Sequence, residues 1–428
     1  MRIAIVGAGI SGLGAAHALA RDADVTLYEA EGRLGGHTNT VDVTLDRISH
    51  PVDTGFLVFN ERTYPNLIRL FAELGVPTTK SDMSFAVSVL HGRRRIEWSG
   101  TDLNGVFAQR RNLASPRFLA MLRDILRFNA QATHVADGLE AADPSLALGE
   151  FLDLHHYGES FRQWYLLPMA AAIWSCPIET MLAYPVTTFV RFCHNHGLLQ
   201  VNDRPQWFTV KGGAHQYVRR IAAGLHEVRT GDPVLEVRRD PASRGVIVRS
   251  RSGSALFDHV VMACHSDQAR RLLVDADGAE RAIIGNVAYQ PNRAVLHTDA
   301  RLMPALRSVW SSWNYISDGA LTPSVSVTYL LNKLQPLPFT TPLLLSLNPT
   351  LEPKAATVIA EFDYTHPVFD RKAIEAQQRL PVVQGRRGVW FAGAWTGYGF
   401  HEDGLKSGLT VAAAIRRALG QAPLQRVA

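Results

Sequence analysis

The hydrophobic pattern opens with a short apolar run, residues 2–6, stopped at once by glycine. A run of that length with a Gly boundary predicts a buried strand. Residues 13–21 predict a helix, and 24–29 a second short strand ending in Glu29. Further along, Ser115-Pro116 offers an N-cap and a first helical position. Phe118, Leu122, Ile125 and Asn129, with Leu119 and Leu126, then follow helical spacing. Helices are also expected over 161–174 and over 187–196, the latter stopped by Gly197. The segment 76–204 therefore reads as mainly helical. The segment 271–382 reads as strand-rich, with β-like composition at 293–297, 309–315, 325–331, 343–347 and 358–363 and one helix near 373–379. A Gly-Gly pair at 212–213 precedes a helix to about 224 and strands at 234–239 and 258–263. The chain closes with a strand at 389–393 and a helix at 405–419. The longest clearly apolar run, 166–174, is too short to span a bilayer.

Length changes this picture first. A chain of 428 residues exceeds what one hydrophobic core usually serves, so two domains are expected. Apolar residues make up 46% and charged residues 19%, which excludes a disordered or collagen-like chain. Cys176, Cys193 and Cys264 are far apart and form no CxxC, against a disulfide framework or a thiolate zinc site. His194 and His196, and the pair His155-His156, do not share a helix face as metal ligands would. A reducing compartment, the cytoplasm, is expected. The N-terminus superficially resembles a secretory signal, but its glycine spacing points elsewhere.

That spacing is Gly7-Ala8-Gly9-Ile10-Ser11-Gly12, directly between strand and helix, with Glu29 ending the next strand. GxGxxG in this context is the dinucleotide fingerprint. Gly7 permits the turn, Gly9 lets backbone approach a pyrophosphate, and Gly12 lets helix pack on strand. The helix N-terminus, with Ser11 in its first turn, offers N–H groups to phosphate. Glu29 suits a ribose hydroxyl. The motif alone does not separate NAD from FAD.

The next segment, Glu29-Ala30-Glu31-Gly32-Arg33-Leu34-Gly35-Gly36-His37-Thr38, resembles the flavin-containing amine oxidase superfamily, which also holds protoporphyrinogen oxidases and carotenoid desaturases. The resemblance continues through Val52-Asp53-Thr54-Gly55-Phe56-Leu57, which implies a segment against the isoalloxazine ring, and through 63–75, the family's next helix. It implies an adenine contact near Val234. It also implies that Gly393, His401, Glu402, Asp403, Gly404 and Leu405 close over the flavin, with a helix N-terminus facing the pyrimidine side. The fold it implies is α/β with an α+β second domain: a Rossmann-like FAD-binding domain of 1–75, 205–270 and 383–428, and an inserted substrate-binding domain of 76–204 and 271–382. Non-covalent FAD is the implied cofactor, since no Cys stands in the C-terminal flavin segment. Two departures stand out: His37 where many relatives have Arg, and Ala394-Trp395 where many have an acid.

Only one GxGxxG is present, which favours a flavin reduced by substrate rather than by NADPH. Two substrate classes follow. An amine oxidase would want a lysine near the flavin, for which Lys333 and Lys211 are candidates, and an aromatic cage such as Phe400 with Trp174 or Trp313. An apolar substrate suits the aromatic-rich second domain. The segments 311–315, 328–335 and 399–404 resemble a bacterial branch labelled only as NAD/FAD-binding, one characterised role of which is desaturation of methyl-branched unsaturated acyl chains towards furan fatty acids. His401 and Glu402 are then the candidate proton acceptors. A lipid-binding module that has lost FAD, and an NAD-dependent enzyme, remain as other classes.

Charge adds a place. The formal excess is +5, and residues 91–132 alone carry eight Arg against three acids, Glu97, Asp102 and Asp124. Arg93, Arg94, Arg95, Arg110, Arg111, Arg117, Arg123 and Arg127 are interleaved with Trp98, Phe107 and an amphipathic segment. An anionic membrane surface is the expected partner rather than nucleic acid, with a solvated Arg-rich face as the alternative.

Overall fold

The computed structural model describes residues 1–428 except 141–142, 144–145, 175–177, 201–203, 319–325, 419 and 421–428. Cys176, the first residue of the strand expected at 325–331 and the last residue of the helix expected at 405–419 lie outside the described residues.

The nucleotide end is a five-stranded parallel sheet. Its strands are β1 (Arg2–Val6), β2 (Asp24–Tyr28), β3 (Glu227–Arg229), β4 (His259–Met262) and β5 (Val389–Phe391), in the order β3-β2-β1-β4-β5. Every neighbouring pair is parallel. A parallel sheet is covered on both faces, which is why Ile3, Ala4, Ile5, Val260 and Val261 are all fully buried. The chain leaves β1 for β2 on one side and later returns as β4 on the other. The crevice at that switch point is where such sheets bind ligands.

Five helices matter for the site: α1 (Ile10–Leu19), α2 (Pro65–Leu74), α3 (Pro116–Ala136), α4 (His215–Ala223) and α5 (His401–Ala418). α1 and α5 cross very closely. A Cβ on Gly408 would lie 2.1 Å from the Ser11 carbonyl oxygen, so only glycine fits there. Gly75 ends α2 in the left-handed conformation, as its position predicts.

A second sheet has seven strands, in the order Val358–Val368, Ala288–His297, Leu344–Leu347, Ser326–Leu330, Trp313–Ser317, Phe85–His91 and Arg94–Ser99. The last two add a hairpin to the segment 76–204, which is otherwise mainly helical as expected. Phe85–His91 has four consecutive buried residues, Ala86 to Val89, as a strand covered on both faces does, and Gly92 turns it at φ +60° into Arg94–Ser99. The sheet runs antiparallel except where Trp313–Ser317 lies parallel to Phe85–His91.

Beside this sheet is an aromatic helical cluster of Phe128, Phe151, Tyr157, Phe161, Phe189 and Phe192. Ser115 caps α3 by accepting from the Phe118 N–H, with Pro116 at the first position. The buried stripe of α3 is Phe118, Met121, Phe128 and Ala132; Leu119 and Leu126 face solvent. That rotates the apolar face away from the one read from sequence, because the aromatic cluster draws in the larger Phe side chains. The expected 161–174 helix carries a π-turn over Arg162–Leu166.

Candidate active site

At the nucleotide end, β1 runs into Gly7, whose N–H bonds the Tyr28 carbonyl at 2.9 Å. A Cβ on Gly12 would lie 1.9 Å from the Gly7 carbonyl oxygen, while one on Gly9 would meet no protein atom within 4 Å. Gly9 is also the N-cap of α1 and supplies no capping side chain. The first-turn N–H groups of α1, including that of Ser11, therefore want an external acceptor beside an open face. Glu29 stands at the end of β2, its carboxylate accepting from the Ala8 N–H at 2.9 Å and the Glu31 N–H at 3.0 Å.

Gly35 donates to the Ala8 carbonyl at 2.9 Å, and Gly36 approaches the Gly9 backbone. Arg33 bonds the Gly36 carbonyl at 2.7 Å and pairs with Glu31 at 3.2 Å. Ala30 is exposed. Gly231 and Asp232 donate to the carbonyls of Glu31 and Glu29, bringing the chain that leads into Val234 beside this turn. The glycine loop, the acid and the 33–36 turn thus converge.

The second group follows His37. A Cβ on Gly55 would lie 2.1 Å from the His37 carbonyl oxygen, and the Phe56 N–H bonds that same oxygen at 2.8 Å. The His37 ring stacks on Tyr364 at 5.1 Å and lies against His366 at 5.2 Å. Burial holds His37 well below its usual pKa and His366 at about 4, so both are neutral. The His37 Nε2 is buried without a hydrogen-bond partner. Leu57 is buried, its carbonyl accepting from Thr209 at 2.8 Å.

Phe56 stacks on His401 at 3.9 Å. The His401 Nε2 meets the Tyr217 hydroxyl at 2.8 Å, and Tyr217 in turn bonds Thr38. Burial pushes His401 down to about 3, so its ring is neutral. Tyr217 comes from α4, which Asp53 starts by accepting from the Ala214 N–H at 2.9 Å. Asp53, Tyr217, Tyr364 and His366 are site neighbours that sequence reasoning missed. Asp53 sat inside the quoted flavin segment and carried the one available signal; the other three reach the site only through the fold.

The structure gives Glu402 a different job from the proton acceptor expected of it. Its two oxygens accept from the Asn66 N–H at 2.9 Å, the Asn66 side-chain amide at 2.6 Å and the Leu67 N–H at 3.0 Å. α2 begins with Tyr64-Pro65 and has no side-chain cap of its own, so Glu402 reaches across and supplies one. Its pKa is raised by burial, against the lowering effect of these bonds. Asp403 folds back to accept from the Phe400 N–H at 2.9 Å and is pushed up to about 6 by burial. Gly404 packs its backbone on Ile10 and Ser11, and Leu405 packs on Gly14. Gly393 donates to the Ser407 hydroxyl at 2.8 Å, locking the strand end to α5.

On the second-domain side, Phe400 stacks on Phe192 at 4.9 Å, and Phe192 lies 4.5 Å from Trp174 and 5.7 Å from Tyr398. His196 stacks on Phe192 at 3.9 Å and burial holds it at about 4, whereas His194 faces Asp137 at 3.5 Å. All six lysines are exposed; Lys333 donates to the Trp310 carbonyl at 2.9 Å. Trp313 packs edge-on against Tyr329 at 4.8 Å, in the seven-stranded sheet, and makes no ring contact with Phe400.

These residues fit FAD. The uncapped N-terminus of α1, the open face at Gly9 and Glu29 would hold the dinucleotide. The unpartnered His37 Nε2 supplies a buried polar atom for the flavin end. An imidazole can serve there where relatives have Arg, though only as a neutral group.

Comparison with known proteins agrees. Residues 10–326 match the family model described as flavin containing amine oxidoreductase. No curated protein matches the chain. Among solved structures, a CLA-producing fatty acid isomerase from P. acnes is similar at 15% identity and TM-score 0.67, covering 97% of this chain and 98% of its own. Cyclohexylamine oxidase from Brevibacterium oxydans IH-35A gives 18% identity and TM-score 0.67, covering 98% and 99%. Putrescine oxidase bound to putrescine gives 16% and 0.68, covering 97% and 99%. At these identities the likeness is one of fold. The family model spans most of the chain, so this protein belongs to the flavin-containing amine oxidoreductase family and is an oxidoreductase that uses non-covalently bound FAD.

Proposed function

We propose that the substrate is an uncharged, hydrophobic molecule, best read as a methyl-branched unsaturated fatty acyl chain that is desaturated on the furan fatty acid route. One observation carries this reading. Around Phe400, among the described residues, no side chain is free to meet a charged amine or to act as the family's lysine. All six lysines are exposed, Glu402 and Asp403 are spent on backbone N–H groups, and the nearby imidazoles are neutral. What remains is an aromatic wall of Phe192, Trp174, Tyr398 and Phe400, suited to an apolar chain.

Bound FAD would accept the hydride equivalent. The wall orients the chain and excludes water. His401, already neutral, is the group proposed to take the accompanying proton. A fatty acid isomerase shares the fold, which supports the reading at fold level only.

The test is anaerobic. Acyl lipid should bleach the flavin and yield a conjugated diene, whereas cyclic and linear amines should release no peroxide under air. Turnover of amines with no acyl product would replace this reading with the amine oxidase one. His401→Gln should cost about 10²-fold in turnover; a loss under about tenfold removes His401 from the chemistry.

A further inference from the structure

We propose that the outer face of α3, with the segment 103–114 leading into it, docks on an anionic lipid bilayer. On α3 the exposed positions Pro116, Leu119, Arg123, Leu126, Arg127, Ala130 and His134 fall on one side of the helix, and Arg117, also exposed, stands off that side in the first turn, next to the segment 110–114. Two of them are leucines, 43% and 60% exposed, with arginines between them. The preceding segment adds Leu103, 76% exposed, and Leu113, 54% exposed, beside Arg110 and Arg111. It is held against α3 by Phe107 on Phe118, ring to ring at 6.0 Å. All four leucines fall within 24 residues of sequence, in the two short helical turns before α3 and on α3 itself.

The acids of this stretch offset its arginines only in part. Glu97 is turned inward, accepting from Ser88 and from the N–H groups of Ala305 and Leu306. Asp124 is 1% exposed and bonds the Gly158 N–H at 3.0 Å. It lies 3.4 Å from both Arg123 and Arg127. Asp102 is tied to the Gly105 N–H. Arg110, Arg111 and Arg117 have no acidic partner; their bonds run to Asn104, the Arg95 carbonyl and His91. Trp98 is buried and bonds the Trp164 carbonyl, so leucines rather than aromatics supply the apolar part.

Guanidinium groups set among exposed leucines match phosphate head groups lying over acyl chains. A nucleic acid would complement the arginines and leave the leucines in water. Among the described residues no helix is long and apolar enough to cross a membrane, so the contact is peripheral.

The experiment is co-sedimentation of the FAD-loaded protein with vesicles of phosphatidylglycerol and phosphatidylcholine, against vesicles of phosphatidylcholine alone. Binding should require the anionic lipid and weaken with salt. Each arginine should contribute about fivefold, so Arg110→Gln/Arg111→Gln/Arg117→Gln should weaken binding about 100-fold. Leu119→Ser/Leu126→Ser should weaken it by at least about tenfold. Both sets lie on the surface, and unchanged flavin content and melting would show the fold intact. Equal binding to neutral vesicles, no binding to either, or variants that bind as the parent does would each overturn the proposal. So would tighter binding to a short DNA duplex than to the anionic vesicles, which would make the surface a nucleic-acid site.

Discussion

Replacing Glu402 separates two jobs that one carboxylate is able to do at the N-terminus of α5. The structure uses it to cap α2 through three hydrogen bonds, two of them from backbone N–H groups with no other cap. Glu402→Gln keeps one acceptor oxygen and loses the charge, costing about 2 kcal/mol, the size of a cap or of one charge-assisted bond. Glu402→Ala leaves the N–H groups unpaired in a buried place and should cost about 3–4 kcal/mol. A 428-residue chain unfolds with an entropy near 0.9 kcal/mol/K, at about 2.1 cal/mol/K per residue. The midpoint should therefore fall about 2 °C for Gln and about 4 °C for Ala. Flavin release on heating measures this, and steady-state turnover below the transition measures the chemistry. Turnover of Glu402→Gln should stay within a few-fold of the parent. A loss of about 10²-fold or more with an unmoved midpoint would refute the capping assignment and restore Glu402 as a proton acceptor.

The glycine loop gives a second contrast. Gly9→Ala should fold normally and bind FAD at least about tenfold more weakly, whereas Gly12→Ala should destabilise the apoprotein itself; titrating FAD into both and melting both without FAD checks this. Asp53 and Asp403 are both raised by burial to about 6, so the folded protein binds more protons than the unfolded chain between about pH 4 and 6. Their stabilising contribution is full below about pH 4 and is lost as pH rises through about 6; Asp53→Asn should flatten the slope of stability against pH between about pH 4 and 6 in denaturant titrations. Since His401 is held at about 3, the turnover profile should show no histidine inflection near pH 6.5, and one that disappears in His401→Gln would contradict the buried, neutral assignment.

Much of the nucleotide end was legible because its physics is local. A turn that needs glycine, a helix that must offer bare N–H groups and an acid one strand away are all fixed by short spacings, and Gly7–Gly12 with Glu29 fall where those rules put them. The hairpin Phe85–His91 and Arg94–Ser99 shows no clean alternation in sequence, and its partner strand Trp313–Ser317 lies more than 200 residues away. Leu119 and Leu126 share the helical spacing of Phe118, Leu122 and Ile125 yet face solvent, because spacing alone does not say which of two overlapping stripes faces inward. Glu402 shows the deeper limit. Its neighbours in sequence suggested the flavin, but its bonding partners come from residues 66 and 67, and the need of α2 for a cap is invisible until the two helices are set side by side.

The order of strands in the parallel sheet also fixes when this protein is able to become an enzyme. β1 is flanked by β2, made at once, and by β4, which appears some 250 residues later; β5 completes the edge only at residues 389–391. At about 5–20 residues per second, the first strand waits roughly 13–50 s during synthesis for β4, and the sheet roughly 20–80 s for β5. Throughout that interval the nucleotide loop exists without the helix that packs on it, since Gly404 and Gly408 of α5 meet Ser11 from the far end of the chain. The flavin cradle cannot close until residues 401–408 have been made, so cofactor capture has to wait for both long segments that separate β2 from α5.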